Sequence, residues 1–203
     1  KTKYNYMTIQ DIIFILDQSG SMMTMGDEPR QALNKFVKDQ KKDKDGATFT
    51  LYTFDTHVKR LIDETLLQDV QEVETLEPGG LTALYDAIGI AINNKMEQEK
   101  NKDVICVILT DGLENSSFEY NIDDIKSLTT RMETQYGWEF IYLGTNQDSF
   151  IEGHKVGIST CMDYESSPDA LRNAVNVTSV GISDKRMRSR KGETNTRTNL
   201  SIS

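Results

Sequence analysis

The apolar residues of this chain fall into short continuous runs that alternate with segments of helical spacing. Residues 12–16 and 104–109 are continuous apolar runs rich in β-branched side chains, which is typical of strands buried on both faces. Residues 138–143 resemble them, and a last strand is predicted at 158–162. Because parallel strands need long crossover connections, helices are expected between these runs.

One pair of predicted strands has a much shorter connection. Residues 47–54 and 58–62 are both rich in β-forming side chains, and only residues 55–57 join them. A connection of this length suits a hairpin and is too short for a parallel crossover. The pair is therefore predicted to be antiparallel, with one strand at an edge of the sheet.

The remaining apolar residues recur at helical spacing between the strands. Ser167 as an N-cap, followed by Pro168, marks the start of the last helix. The alternation predicts an α/β fold with a doubly wound, mostly parallel six-stranded sheet, one antiparallel edge strand and helices on both faces. The predicted helices lie at residues 30–41, 66–73, 83–91, 122–132, 150–155 and 168–175.

Composition indicates one globular domain and excludes several classes of partner. The 203 residues are 37% hydrophobic and 27% charged, which suits a single core. A net charge of −9 disfavours binding to nucleic acid or to an anionic membrane surface. Cys106 and Cys161 are far apart in the sequence, so two free thiols in a reducing cytoplasm are expected.

The end of the chain differs in composition from the rest. Residues 184–203 carry six basic and two acidic side chains. We predict a domain over residues 1–183 and a basic, flexible tail or linker over residues 184–203. Such a tail can dock on nucleic acid or on an acidic protein, although a solvated terminus is the simpler interpretation.

Oxygen-bearing side chains gather where two predicted central strands end. In a doubly wound sheet, the crevice beyond neighbouring strand ends at the switch point is the usual ligand site. The strand at 11–16 leads directly into an Asp-x-Ser-x-Ser segment, and the strand at 104–109 leads into Thr-Asp-Gly. A Gly-Gly-Leu-Thr loop before a helix can bring a further hydroxyl to the same place. The candidate ligands are Asp17, Ser19, Ser21, Thr82 and Asp111.

These candidates comprise two carboxylates and three hydroxyls, with no soft ligand. Such hard oxygen donors suit Mg²⁺, with Mn²⁺ or Ca²⁺ as substitutes, although Ca²⁺ normally draws on more carboxylates and carbonyls. Two carboxylates only just offset the charge of a divalent ion. An acidic side chain from a partner protein can therefore complete the coordination shell, which predicts a protein ligand that supplies Asp or Glu.

The Asp-x-Ser-x-Ser pattern at 17–21, followed by Thr82 and Asp111, resembles the metal-ion-dependent adhesion site of the von Willebrand factor type A domain family. The resemblance runs over about residues 11–182. It implies a Rossmann-like fold and a non-enzymatic binding module. In that family both Asp residues commonly hold the ion through water, the Ser and Thr hydroxyls coordinate it directly, and the partner supplies an acidic side chain.

Three further segments resemble one group within this family. Residues 110–117, 136–144 and 146–148 are similar to small stand-alone proteins of bacteria, their phages or large viruses, and unlike extracellular matrix or integrin domains. The resemblance implies a cytoplasmic protein or a component of a virus particle.

Three functions from different classes remain open on the sequence. The first is a cation-dependent protein-binding module, and the second is a structural subunit of a viral particle or large assembly that does not need its metal site. The third, a Mg²⁺-dependent hydrolase, lacks an evident nucleophile, general base or phosphate-binding loop. His57 and His154 are isolated in the sequence and suggest no catalytic relay.

Several singled-out residues also have simpler explanations. Thr82 can be a helix N-cap, and Ser19 and Ser21 can be turn residues. Asp55 and Asp86 can support the metal ligands from outside, but the simpler explanations are a place in the hairpin turn for Asp55 and an interaction with the helix dipole for Asp86. Three methionines follow the candidate ligands of the first loop, namely Met22, Met23 and Met25. They can either present an adaptable apolar surface to a partner or pack within the loop.

Overall fold

The computed structural model describes residues 10–44, 46–98, 103–145, 149–193 and 196–200, so the motif residues 146–148 lie outside the described part. Its centre is a six-stranded sheet with strand order β3-β2-β1-β4-β5-β6. β3 is antiparallel to β2, and the other neighbouring strands are parallel, which confirms the predicted fold class. The strands are β1 (Gln10–Asp17), β2 (Thr48–Phe54), β3 (Val58–Leu66), β4 (Asp103–Leu109), β5 (Glu139–Thr145) and β6 (Thr160–Tyr164).

Helices cover both faces of this sheet. Side chains along β1 alternate between two cores, because successive residues of a strand point to opposite faces. Phe14 and Leu16 lie in the core beneath α1 and α5, whereas Ile13 and Ile15 lie in the core beneath α2 and α3. The α-helices are α1 (Glu28–Gln40), α2 (Leu84–Gln98), α3 (Ile122–Tyr136), α4 (Ser149–Lys155) and α5 (Pro168–Arg190).

Local capping explains where two of these helices begin. The side chain of Asn121 accepts from backbone N–H groups in the first turn of α3, and Asp124 accepts from the N–H of Asn121 in return. At the start of α5, Ser167 Oγ accepts from the N–H of Ala170, and Pro168 occupies the first turn. The predicted cap of the last helix is therefore confirmed. Within the described residues, no helix combines the length and hydropathy that a bilayer span requires.

The helix predicted at residues 66–73 is wrong. Only Leu67–Asp69 forms a short 3-10 helix, and residues 70–83 after it have no regular secondary structure. Val70 and Val73 pack against the core beneath α1, which accounts for their apolar spacing. Both backbone groups of Val73 are bonded to the side-chain amide of Asn34 on α1, at 2.9 Å each, so this segment does not need a helix to satisfy them.

The structure also differs from the predicted tail over residues 184–203. α5 continues to Arg190, past the predicted boundary, and Lys185 within it is buried. Lys185 Nζ pairs with Asp103 at 3.1 Å and with Glu139 at 3.0 Å, at the amino ends of β4 and β5. Lys185, one of the basic residues of this segment, therefore forms ion pairs within the fold and presents no free charge to nucleic acid.

Residues 196–200 pack back onto the domain. The N–H of Thr198 donates to Glu139 Oε1 at 2.7 Å. Gly181 on α5 permits this close approach, because a Cβ atom there would lie 2.5 Å from the carbonyl oxygen of Asn199. This part of the predicted tail is thus in contact with the sheet and with α5.

Candidate metal centre

The topology brings the candidate ligands to one edge of the sheet. β1 and β4 are adjacent and parallel, and Leu16 lies opposite Leu109 at their carboxyl ends. Asp17 is the last residue of β1, and Asp111 follows β4 after one intervening residue. Thr82 reaches the same edge from the loop before α2, which begins at Leu84 and not directly after Thr82. The loops predicted to meet at the switch point do meet there.

Four of the five candidates are in contact or share one small space. Ser21 Oγ donates to Asp111 Oδ1 at 2.5 Å, and the hydroxyls of Ser19 and Ser21 are 3.1 Å apart. A Cβ atom on Gly112 would lie 3.1 Å from Thr82 Oγ1 and 3.5 Å from Ser21 Oγ. Hydroxyls from two loops and a carboxylate from a third therefore converge on the space beside Gly112.

The fifth candidate, Asp17, is held rigidly beneath them. It is 1% exposed, and both its carboxylate oxygens accept hydrogen bonds. The N–H of Ser19 donates to Oδ1 at 2.7 Å, and Thr110 Oγ1 donates to Oδ2 at 2.5 Å. Tyr164 in turn donates to the carbonyl oxygen of Thr110 at 3.2 Å. Sequence reasoning missed Thr110, although its position at the end of the strand beside β1 was a usable signal.

Burial without a basic partner raises the pKa of both carboxyl groups. Burial raises the pKa of Asp17 from 3.8 to about 6, against the lowering effect of hydrogen bonds from Thr110 and Ser19, and the charge of Asp111 adds to the rise. Burial also raises the pKa of Asp111, against the hydrogen bond from Ser21. Among the described residues, no Lys, Arg or His stabilises either charge. A bound cation would supply the positive charge that both carboxylates lack.

The donor set fits a hard divalent cation. Among the described residues, no group of three or more His, Cys, Asp and Glu side chains could hold a metal ion. A cation at this edge would therefore depend on hydroxyl oxygens together with the two carboxylates. Oxygen donors of this kind suit Mg²⁺ and lack the nitrogen and sulfur ligands that structural zinc sites use.

Backbone hydrogen bonds join the first loop to the second. The N–H of Gly20 donates to the carbonyl oxygen of Gly80 at 3.2 Å, and the N–H of Gly79 donates to that of Gln18 at 2.8 Å. Gly80 has a φ of +73°, and a Cβ atom there would lie 2.8 Å from Thr56 Oγ1 in the hairpin turn. Glycine is therefore required where the loop passes this turn.

Side chains of the third loop bind the second loop and the start of α2. Asn115 Oδ1 accepts from the N–H of Thr82 at 2.9 Å, and the N–H of Asn115 donates to the carbonyl oxygen of Thr82 at 3.0 Å. Glu114 accepts from the N–H of Tyr85 at 2.9 Å and from the N–H of Ser117 at 2.7 Å. Both backbone groups of Thr82 are therefore bonded to Asn115. Because α2 begins at Leu84, Ala83 and not Thr82 lies directly before the helix.

Asp86 and Asp55 anchor loops. The carboxylate of Asp86 accepts from the three consecutive backbone N–H groups of residues 118–120, at 2.8 to 2.9 Å. Asp55 accepts from the N–H of His57 at 2.7 Å and from the side-chain amide of Gln18 at 3.2 Å. Helix-dipole compensation alone does not describe Asp86, because its charge is directed at a neighbouring loop.

The methionines after the first loop separate into two groups. Met22 and Met25 are buried in the core beneath α1, so both pack within the domain. Met23 between them is exposed. Of the three, only Met23 is available to a partner.

Comparison with known proteins agrees with this architecture. The family model of the von Willebrand factor type A domain matches residues 11–191. The structure of proximal thread matrix protein 1 from the mussel byssus, described with a zinc-occupied MIDAS motif, aligns with a TM-score of 0.62 and 20% identity over 87% of this chain and 48% of its own. No curated protein matches the sequence.

Two bacterial structures share the same fold. A von Willebrand factor type A protein from Catenulispora acidiphila aligns with a TM-score of 0.62 and 17% identity over 86% of this chain and 43% of its own. The pilus adhesin SpaC from Lactobacillus rhamnosus GG aligns with a TM-score of 0.70 and 13% identity over 88% of this chain and 31% of its own. This chain thus spans less than half the length of each of these structures.

Proposed function

Because the chain belongs to the von Willebrand factor type A domain family, we propose that it is a non-enzymatic protein-binding module that depends on a divalent cation. The family commonly mediates protein–protein interaction, and its domains are generally non-enzymatic adhesion modules. The partner is a protein that supplies an Asp or Glu side chain. The residues that would hold the cation are Asp17, Ser19, Ser21, Thr82 and Asp111.

The observation that carries this proposal is the convergence of three loops beside Gly112. Ser21 bonds directly to Asp111, and the hydroxyl of Thr82 faces the same space. Thr110 and the first loop fix the buried carboxylate of Asp17, so this charge does not need to reorganise on binding. A bound cation would offset the two carboxylates and offer a coordination position to an acidic side chain.

We propose Mg²⁺ as the resident ion, with Mn²⁺ or Ca²⁺ as substitutes. All five donors are oxygen atoms, and three of them are neutral hydroxyls. Two carboxylates balance the charge of a divalent ion without exceeding it, so the site keeps its attraction for an anionic group. The zinc named for the mussel protein belongs to that structure.

We also propose that the protein functions in a reducing environment, either in the cytoplasm or in a virus particle formed there. Its support is that Cys106 and Cys161 are both free and buried. Small folds in oxidising compartments often use their cysteines in disulfides instead.

Affinity capture from source extract tests the binding function. Immobilised wild type and Asp111→Asn are compared in Mg²⁺ and in EDTA, with Asp169→Asn as the matched control because its carboxylate is 89% exposed on α5. Wild type and the control should retain the same partners in Mg²⁺ and release them in EDTA, whereas Asp111→Asn should retain none. Retention of those partners in EDTA would contradict the proposal and favour a structural subunit.

A further inference from the structure

An exposed apolar side chain stands beside a candidate ligand in each of the three loops. One lies two residues after Ser21, one immediately before Thr82 and one two residues after Asp111. Their exposed fractions are 66%, 53% and 58% in that order. We call this set the apolar rim, and its members are Met23, Leu81 and Leu113.

The three rim residues lie on loops that are bonded to one another at one edge of the sheet. Consecutive Cα atoms are about 3.8 Å apart, so each rim residue has its backbone within about 7 Å of the backbone of the neighbouring ligand. The ligands themselves meet beside Gly112. The loops are joined by the hydrogen bonds between Gly20 and Gly80 and between Thr82 and Asn115. The rim is therefore presented on ordered loops, and binding need not order it.

Basic side chains are absent from the three loop segments that carry the rim. Residues 18–26, 78–83 and 111–118 contain no Lys or Arg. Glu114 directs its carboxylate to backbone N–H groups, including those of Tyr85 and Ser117, so its charge is held within the fold. An acidic side chain that approaches these loops meets no basic side chain belonging to them. The exposed side chains that these segments offer beside the site include those of Met23, Leu81 and Leu113.

Single exposed apolar side chains are common on protein surfaces, but here one stands beside a candidate ligand in each of three loops that meet. We propose that the apolar rim makes the module selective for protein segments in which an acidic residue is flanked by apolar residues. This proposal rests on the proposed function, because the acidic residue is the one that the cation would hold. The rim supplies selectivity between acidic segments, which a cation alone cannot distinguish.

A peptide-display experiment tests the selectivity. The probe is a phage library with a fixed central Glu and randomised flanking positions. It is selected on wild-type protein in Mg²⁺ and eluted with acid, and each recovered peptide is then tested for binding in Mg²⁺ and in EDTA. Apolar residues should be enriched at the flanking positions. The best peptide should bind Leu81→Ser and Leu113→Ser about tenfold more weakly than wild type, as expected for loss of a central interface side chain. Val180→Ser is the matched control, because Val180 is 70% exposed on α5 and should be neutral.

The outcomes separate the rim from the cation. Mg²⁺-dependent peptides with polar or random flanks would overturn the rim and leave the proposed function intact. Failure to recover any peptide would also overturn the rim as a source of affinity. Peptides that bind equally well in EDTA would contradict the proposed function itself. A similar Mg²⁺-induced rise in melting temperature in wild type and in both rim variants shows that lost peptide binding is not lost metal binding.

Discussion

The N–H of Thr82 donates to Asn115 Oδ1 at 2.9 Å, and the N–H of Asn115 donates back to the carbonyl oxygen of Thr82 at 3.0 Å. This reciprocal pair joins the loop that presents the Thr82 hydroxyl to the loop that presents Asp111. Asn115 supplies no candidate ligand. It acts as a positioning residue for the candidate metal centre.

Asn115→Ala should weaken Mg²⁺ binding several-fold. The substitution leaves the N–H of buried Thr82 without its acceptor, at a cost of about 1–3 kcal/mol. Asn115→Asp retains the acceptor oxygen and should restore most of the affinity. Titration of each variant with Mg²⁺ measures the effect. Equal affinity in Asn115→Ala and wild type would show that the pair does not position Thr82.

Gly112→Ala should weaken Mg²⁺ binding while leaving the domain folded. The added Cβ atom would lie 3.1 Å from Thr82 Oγ1 and 3.5 Å from Ser21 Oγ, in the space between the donors. Gly79→Ala is the matched control, because a Cβ atom there has no neighbour within 4 Å. The far-ultraviolet circular dichroism spectrum and the Mg²⁺-induced change in melting temperature report folding and binding. A normal Mg²⁺ response in Gly112→Ala would contradict the convergence of donors.

Asp86→Ala should lower the free energy of unfolding by about 2–4 kcal/mol. Its carboxylate accepts from the three N–H groups of residues 118–120. A hydrogen bond to a charged group contributes about 1.5–3 kcal/mol net of its exchange with water, and bonds that share one carboxylate do not add fully. Asp123→Ala is the control, since Asp123 is exposed in the first turn of α3 and offsets mainly the helix dipole, worth about 0.3–1 kcal/mol. Urea denaturation compares the two. An equal loss of unfolding free energy in the two variants would show that Asp86, like Asp123, acts mainly through the helix dipole.

Both cysteine thiols should react slowly with a disulfide reagent at neutral to mildly alkaline pH. Burial raises the pKa of Cys106 well above its usual value and raises the pKa of Cys161 to about 11. The thiolate is the form of cysteine that reacts. At a pH below the raised pKa only a small fraction of each thiol is ionised, so the native thiols stay protonated and unreactive. Unfolding in urea should release both for rapid labelling. Rapid labelling of the native protein would contradict their burial.

The sequence predicts the sheet and the positions of two candidate ligands at its edge for a common physical reason. A strand buried on both faces must be a continuous apolar run, so β1 and β4 are visible without knowledge of their partners. Asp17 and Asp111 stand where those runs stop. The parallel pairing of β1 and β4 then places both residues at the same edge, as the structure confirms.

Contacts between distant loops could not be predicted in the same way. Thr82 and Asn115 are separated by 33 residues, and neither periodicity nor composition relates them. Lys185 belonged to a basic segment by composition, but its charge is paired with Asp103 and Glu139 from two strands. Helical spacing at residues 66–73 arose because Val70 and Val73 face the core from an irregular segment. Only the three-dimensional arrangement shows these pairings.

Calorimetric titration with Mg²⁺, together with the melting temperature, tests the central claim most directly. Wild type and Asp169→Asn should bind one Mg²⁺ each and gain about 2.7 kcal/mol of stability at about 100 times the dissociation constant, with reversal by EDTA. Asp111→Asn should remain folded and show neither heat of binding nor a rise in melting temperature. The absence of both signals in wild type, or equal signals in Asp111→Asn, would contradict a cation held by these loops.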